Sequence, residues 1–156
     1  MESVIDKIDR KIIKYLQEDS SISNLELSRL VGLSPSACLS RTKNLIENGV
    51  IKKFTAIVDE DKLGMETIAF VTLNISPYNS ETINNFIEQV KKLPQVLECY
   101  TMTGSKDFLL KVVAPNMHTY KEYVVNTLVS IPGISNMETS IVINTDKRET
   151  AIPIDE

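Results

Sequence analysis

The eleven residues from Ser34 to Asn44, SPSACLSRTKN, combine types that can work against a polyanion. On a helical wheel Cys38, Thr42 and Leu45 share one face. Ser36, Ala37, Ser40, Lys43 and Asn44 lie largely opposite, with Arg41 at their flank. Small side chains near the start of such a helix let its backbone come close to base edges. Arg41 and Lys43 reach phosphate or guanine, and Asn44 carries the donor and acceptor that match adenine. Ser34 is a capping residue and Pro35 suits the first helical position, so the helix N-terminus offers N–H groups to a phosphate. Lys52 and Lys53 follow as further backbone contacts. A plain bundle with a solvated polar face shows the same wheel, and charge separates the two readings. The chain is −4 overall, yet Arg29 to Phe54 holds five basic residues against Glu47 alone. A local cationic stretch matters more to a nucleic acid than the total.

Other clusters carry less. Asp59-Glu60-Asp61 lacks the spacing of a calcium loop and reads as a solvated connector. His118, the single histidine, has no Ser or Cys nucleophile motif around it, and Gly104-Ser105-Lys106 lacks the first glycine of a phosphate loop. No catalytic residue, metal site or cofactor is expected. An acylphosphatase-like enzyme, the weakest alternative, would need an Arg/Asn pair at a phosphate-binding loop, which is not found. Cys38 and Cys99 are too few for a disulfide framework and no apolar run approaches 18 residues. The opening Met-Glu-Ser-Val-Ile-Asp lacks the basic and apolar segments of a signal peptide, so a cytoplasmic protein without membrane contact is expected.

The elements that must hold these residues follow from periodicity. Ile5, Ile8, Ile12 and Leu16 give a first helix, capped at Asp6 and running to about Glu18. Ser23 and Glu26 form a capping box for a second, carrying Leu27, Leu30 and Val31 and stopped by Gly32. A short turn then leads into the helix from Ser34 to Asn48-Gly49, completing a helix-turn-helix, and Val50 to Val58 is expected to form a short hairpin, or wing. Residues 1–58 thus make the first module and 59–66 a polar linker.

Residues 67–156 make the second module, and they repeat. Pro77 and Pro115, like Pro94 and Pro132, are 38 residues apart, and at the same offset Phe70 matches Phe108, Val90 matches Leu128 and Val96 matches Ile134. Each copy reads strand, helix, strand. The fold class is therefore α+β, a winged helix-turn-helix followed by a ferredoxin-like βαββαβ sandwich with strands near 67–76, 96–104, 107–114 and 136–145. Its helices bear apolar stripes, Ile83, Phe86, Ile87, Val90 and Leu93 in one, Tyr120, Tyr123, Val124 and Leu128 in the other. The strands do not alternate cleanly: Phe108 to Val113 is apolar in both registers. The face away from the helices is accordingly expected to meet a second copy of the chain.

Several motifs together resemble a known family. Ile8-Asp9-Arg10-Lys11-Ile12-Ile13, Ile22-Ser23-Asn24-Leu25-Glu26-Leu27-Ser28, Val31-Gly32-Leu33-Ser34-Pro35-Ser36-Ala37-Cys38-Leu39-Ser40-Arg41 and Leu45-Ile46-Glu47-Asn48-Gly49-Val50-Ile51 are similar to the DNA-binding domain of the Lrp/AsnC, or feast/famine, transcriptional regulators. Glu98-Cys99-Tyr100 leading to Gly104-Ser105-Lys106-Asp107-Phe108 resembles their ligand-sensing domain. The resemblance spans nearly the whole chain. It implies a sequence-specific regulator of double-stranded DNA, a homodimer assembling to an octamer, that answers to an amino acid. DNA contacts then fall to Ser34, Pro35, Ser36, Ala37, Ser40, Arg41, Lys43, Asn44 and Lys53. Effector contacts fall to Thr103, Gly104, Asp107, Met137 and Thr139, Gly104 admitting a carboxylate to backbone amides and Asp107 receiving an ammonium group. The family pattern Gly-Asp-x-Asp-aromatic is altered here, with Ser105 in place of the first Asp and Lys106 beside it. An architectural DNA-binding protein that needs no ligand is the competing expectation.

Overall fold

The computed structural model describes residues 5–154 and divides the chain into two compact units, Met1–Ile57 with Lys147–Glu156, and Val58–Asp146.

In the first unit α1 spans Lys7–Glu18, α2 Asn24–Val31 and α3 Pro35–Glu47. Each start is fixed by a side chain that satisfies backbone donors no helical carbonyl can reach. Asp6 accepts from the backbone N–H of Ile8 and Asp9 while the Asp9 carboxylate returns to the Asp6 N–H. Ser23 and Ser34 cap α2 and α3 singly. Gly32, at φ 72°, closes α2 in a left-handed conformation that costs a side-chain-bearing residue about 1 kcal/mol or more, and the chain turns at once into α3. The core is small: Ile12, Leu27, Val31, Cys38 and Leu45, with Ile8, Leu16, Leu33 and Val50 packed around it. Leu30, expected on the inner stripe, is exposed, and Ser28 takes an inward place with its hydroxyl bonded to the Leu25 carbonyl.

Two expectations for this unit change. The hairpin over 50–58 does not form. The Val50 and Ile51 N–H groups both donate to the Leu45 carbonyl, and the chain then runs on with no strand ladder. Strand-favouring residues cannot make a sheet without a partner edge. The end of the chain, assigned from sequence to the 67–156 module, groups with the helices instead. The Gln17 amide donates to the Ile152 carbonyl at 3.0 Å and accepts its N–H at 2.8 Å, as a neighbouring strand would.

The second unit holds β1 (Thr67–Ile75), α4 (Ser80–Val90), β2 (Val96–Thr101), β3 (Phe108–Ala114), α5 (residues 117–129) and β4 (Ile134–Ile141). Before β1, Asp61–Leu63 forms a single 3-10 turn. The sheet order is β2-β3-β1-β4 with all neighbours antiparallel, as a doubled βαβ unit requires. Ala69, Val71, Leu73 and Ile75 alternate inward along β1 and meet Phe108, Leu110, Val112 and Ala114 of β3 under Phe86 and Val90 of α4. Phe86 and Phe108 rings stack tilted, centroids 4.6 Å apart. In α5 the middle, Tyr120–Val125, widens into a π-helix; Tyr120, Val124 and Leu128 remain inward, whereas Tyr123 is turned out.

The ion pair that ties α3 to α1 is a testable element of stability. Arg41 Nη1 lies 2.7 Å from Asp6 Oδ2 and 2.9 Å from Asp9 Oδ1. The Asp9 backbone N–H, and then the Arg41 guanidinium, hold the Asp6 carboxyl below its ordinary 3.8. A carboxylate with a depressed folded pKa stabilises at pH above its unfolded value and loses that contribution as pH falls through the folded one. Arg41→Ala should therefore melt lower than the parent at pH 7, with the gap closing below about pH 3.8, the unfolded Asp6 value; circular dichroism melts at both pH values test this.

Candidate functional site

Two places gather the residues singled out from sequence, one in each unit. In the first, α3 is anchored on one side by Cys38, which is fully buried, and by Leu45. Its opposite side presents Ser36, Ser40, Lys43 and Asn44, all exposed, with Pro35 exposed at the start and Ala37 half-buried beside them. Ser34 is occupied as cap, its hydroxyl accepting the Ala37 N–H at 3.3 Å and lying 3.2 Å from the Ser36 hydroxyl. Asn24, the first residue of α2, donates to the Pro35 carbonyl at 2.9 Å and so fixes where α3 begins. Lys53 is exposed on the unpaired stretch after the helix.

Arg41 is placed differently from its sequence reading. Its guanidinium turns back to the α1 cap, and the two carboxylates raise its pKa further above the usual arginine range. Through Nη1 Arg41 ties α3 to the α1 cap, with its guanidinium turned toward Asp6 and Asp9. The partners Asp6 and Asp9 escaped sequence reasoning because they lie 35 and 32 residues upstream. The only available signal was the capping pattern that placed them at a helix start.

In the second unit Thr103 and Gly104 are exposed in the bend between β2 and β3. Gly104 sits at φ 111° and a Cβ there would meet open space, so this bend demands glycine for conformation alone. Asp107 is tied into the sheet: its Oδ2 accepts the Ile75 N–H at 2.8 Å and the Asn74 amide at 3.4 Å, and its own N–H donates to Leu73. The Asn74 amide also donates to the Ser105 carbonyl. Lys106 reaches across to Glu138 of β4 at 2.8 Å. The bend and the outer face of β4 are thereby brought together.

Met137 and Thr139 are not part of that grouping. They pair with Leu73 and Val71 and so share the helix-covered side of the sheet. Met137 packs on the core, and the Thr139 hydroxyl lies 2.8 Å from Tyr120 Oη. Burial raises the Tyr120 pKa, the Thr139 contact offsetting part of it. Thr139 also lines an open pocket of about 570 Å³ with Met117, Lys121 and Ile141.

The face away from the helices carries Phe70, Tyr100, Leu109 and Val113 in adjoining registers. It is crossed by Lys111 beside Glu98 at 3.6 Å. His118 lies 3.1 Å from Glu122 on the surface. Among the described residues no group of three acidic, His or Cys side chains is placed to hold a metal, and no helix is long and apolar enough to cross a membrane.

Comparison with known proteins accounts for both units. Residues 5–52 match the model for winged helix-turn-helix DNA-binding domains, and residues 68–152 the Lrp/AsnC ligand binding domain. Transcriptional regulator AzlB of Bacillus subtilis is 55% identical over 156 residues, covering 100% of this chain and 99% of its own. The leucine-responsive regulatory protein of Escherichia coli K12 is 35% identical over 96% of this chain and 92% of its own. Among solved structures, a transcriptional regulator from Neisseria meningitidis, crystallised as its L-Met complex, superposes with TM-score 0.89 at 34% identity, covering 95% of this chain and 96% of that one. An AsnC family regulator from Agrobacterium tumefaciens gives 0.88 at 32%, with the same coverage. These relatives are regulators and not enzymes, which removes the acylphosphatase alternative. With a DNA-binding helix-turn-helix in one unit and a ligand-binding domain in the other, the chain belongs to the Lrp/AsnC family of transcriptional regulators.

Proposed function

We propose that the protein is a sequence-specific regulator in which α3 enters the major groove of DNA, the second unit joins two chains, and an amino acid bound near the 103–107 bend biases the assembly. The observation that carries this reading is the division of α3. Its inner side is consumed by the core while Ser36, Ser40, Lys43 and Asn44 stand bare in the order a reading helix needs, short residues toward the N-terminus and longer ones behind. Ser34, Pro35 and Ala37 frame the start for a phosphate, and Lys53 supplies a backbone contact. Arg41 is assigned to posture, not contact. The site of action is the cytoplasm, where chromosomal DNA is reached.

The outer face of the sheet supports self-association. Phe70 and Tyr100 expose apolar surface that a second sheet would cover, as stacked antiparallel sheets do. Two reading helices held about one helical turn of DNA apart then address two half-sites, and dimers assemble further, to octamers. A ligand alters DNA affinity only through differential binding to the assembly's states, usually by about 1–3 kcal/mol.

For the effector, the L-Met complex of the Neisseria relative favours an amino acid. Thr103 and Gly104 offer backbone to a carboxylate. Asp107, which accepts the Ile75 N–H and the Asn74 amide through Oδ2, offers Oδ1 to an ammonium group, and Met137 and Thr139 act from behind the strand through its position. One observation favours the ligand-independent alternative: Lys106 and Glu138 already satisfy each other beside the bend. Calorimetry of the full chain against the twenty amino acids separates the two, since the effector reading requires heat from at least one of them and loss of that heat in Asp107→Asn.

Two further outcomes are expected. Lys43→Ala should weaken binding to a selected operator and reduce the slope of log affinity against log salt by about 1. Phe70→Asp should convert the oligomer to monomers in sedimentation while leaving the circular dichroism spectrum unchanged.

A further inference from the structure

Leu39 lies on the polar side of α3 with 45% of its surface exposed. The helix packs on the core through Cys38 and Leu45, on the other side, so Leu39 does not hold the unit together. Its neighbours one turn away are Ser36 and Lys43, both exposed, and Ser40 follows it directly. Flanked by Ser36 and Ser40, Leu39 is the larger side chain and projects further from the helix axis than either serine. Ile46 is exposed on the same side, but two turns nearer the C-terminus and farther from the end that enters a groove.

A leucine has no donor or acceptor. Against a phosphate or the polar edge of guanine, cytosine or adenine it would strip water and return nothing. In the major groove one group suits it, the C5 methyl of thymine. Lys43, one turn on, supplies the charge that keeps this part of the helix against the strand. We infer that Leu39 is a specificity-determining residue that selects thymine by apolar contact with its methyl group. This rests on the proposed entry of α3 into the groove and adds a position that the polar residues alone do not define.

Removing single methyl groups from the DNA tests it. The full-length protein first selects duplexes from a random pool. Each thymine of the selected site is then replaced in turn by deoxyuridine, which keeps the base pair and deletes the methyl. At one or more thymines per half-site the parent protein should lose about fourfold in affinity, the ratio expected for one buried group of that size. Leu39→Ala should bind the thymine and uracil duplexes equally there, and Leu39→Met, which keeps apolar reach, should retain the preference. A flat uracil scan in the parent overturns the inference, as does a uracil penalty that persists in Leu39→Ala. Loss of helical signal in Leu39→Ala would reveal a packing role and overturns it equally. If the parent selects no duplex at all, the DNA-reading function itself fails, a result distinct from selection followed by a flat scan.

Discussion

A helix that reads DNA must leave one side bare, so everything that holds it has to act from the other. In this chain that burden falls on very little. Among the described residues five buried apolar side chains form the core of the helical unit, and only two of them, Cys38 and Leu45, belong to α3. So small a core stabilises weakly by burial alone. Polar ties make up the difference: Asn24 fixes the Pro35 carbonyl, and Arg41 binds both carboxylates of the α1 cap. The cap that starts one helix is the anchor that orients another. Local helix chemistry and tertiary placement are here the same few atoms.

The sensing unit follows the opposite rule. Its inner layer is continuous, from Ala69 through Val112 to Phe86 and Leu128, and needs no ion pair to stand. The outer face of the sheet carries charge as well, Lys111 with Glu98 and Lys106 with Glu138, alongside Phe70, Tyr100 and Leu109. Such a face is neither a solvated surface nor a core. In the proposed dimer its apolar residues would give area to a second sheet, and the paired charges would restrict the register in which that sheet fits. Specificity of assembly and stability of the subunit would then be carried by different faces of one sheet.

The elements were legible because each is set by short-range chemistry. Caps at Asp6 and Ser23, Pro35 at a first helical position, and the 38-residue offset gave the helices and the strand order without recourse to distant contacts. What escaped notice depends on pairing across the chain. A wheel shows which way Arg41 faces, not the two carboxylates of the α1 cap that wait there. The stretch over 50–58 has strand-forming residues, and propensity does not reveal that no partner edge adjoins it. Met137 and Thr139, proposed through resemblance, sit in Ile-Ser-Asn-Met-Glu-Thr-Ser-Ile, whose weak alternation leaves register open; only pairing with Leu73 and Val71 turns them toward the helices. One exposed leucine on a surface is ordinary, and Leu39 gains meaning only from the helix that bears it.

The bidentate clasp between Gln17 and Ile152 has a consequence in time. The two residues are separated by 135 positions, so a ribosome that has completed α1 must translate the whole sensing unit before the clasp can close. Domains generally fold as they emerge, the earlier first. Here the unit begun first still lacks one of its ties until the last residues of the sequence have been made. A newly made chain therefore holds the complete sequence of its sensing unit before the helical unit can close its last brace.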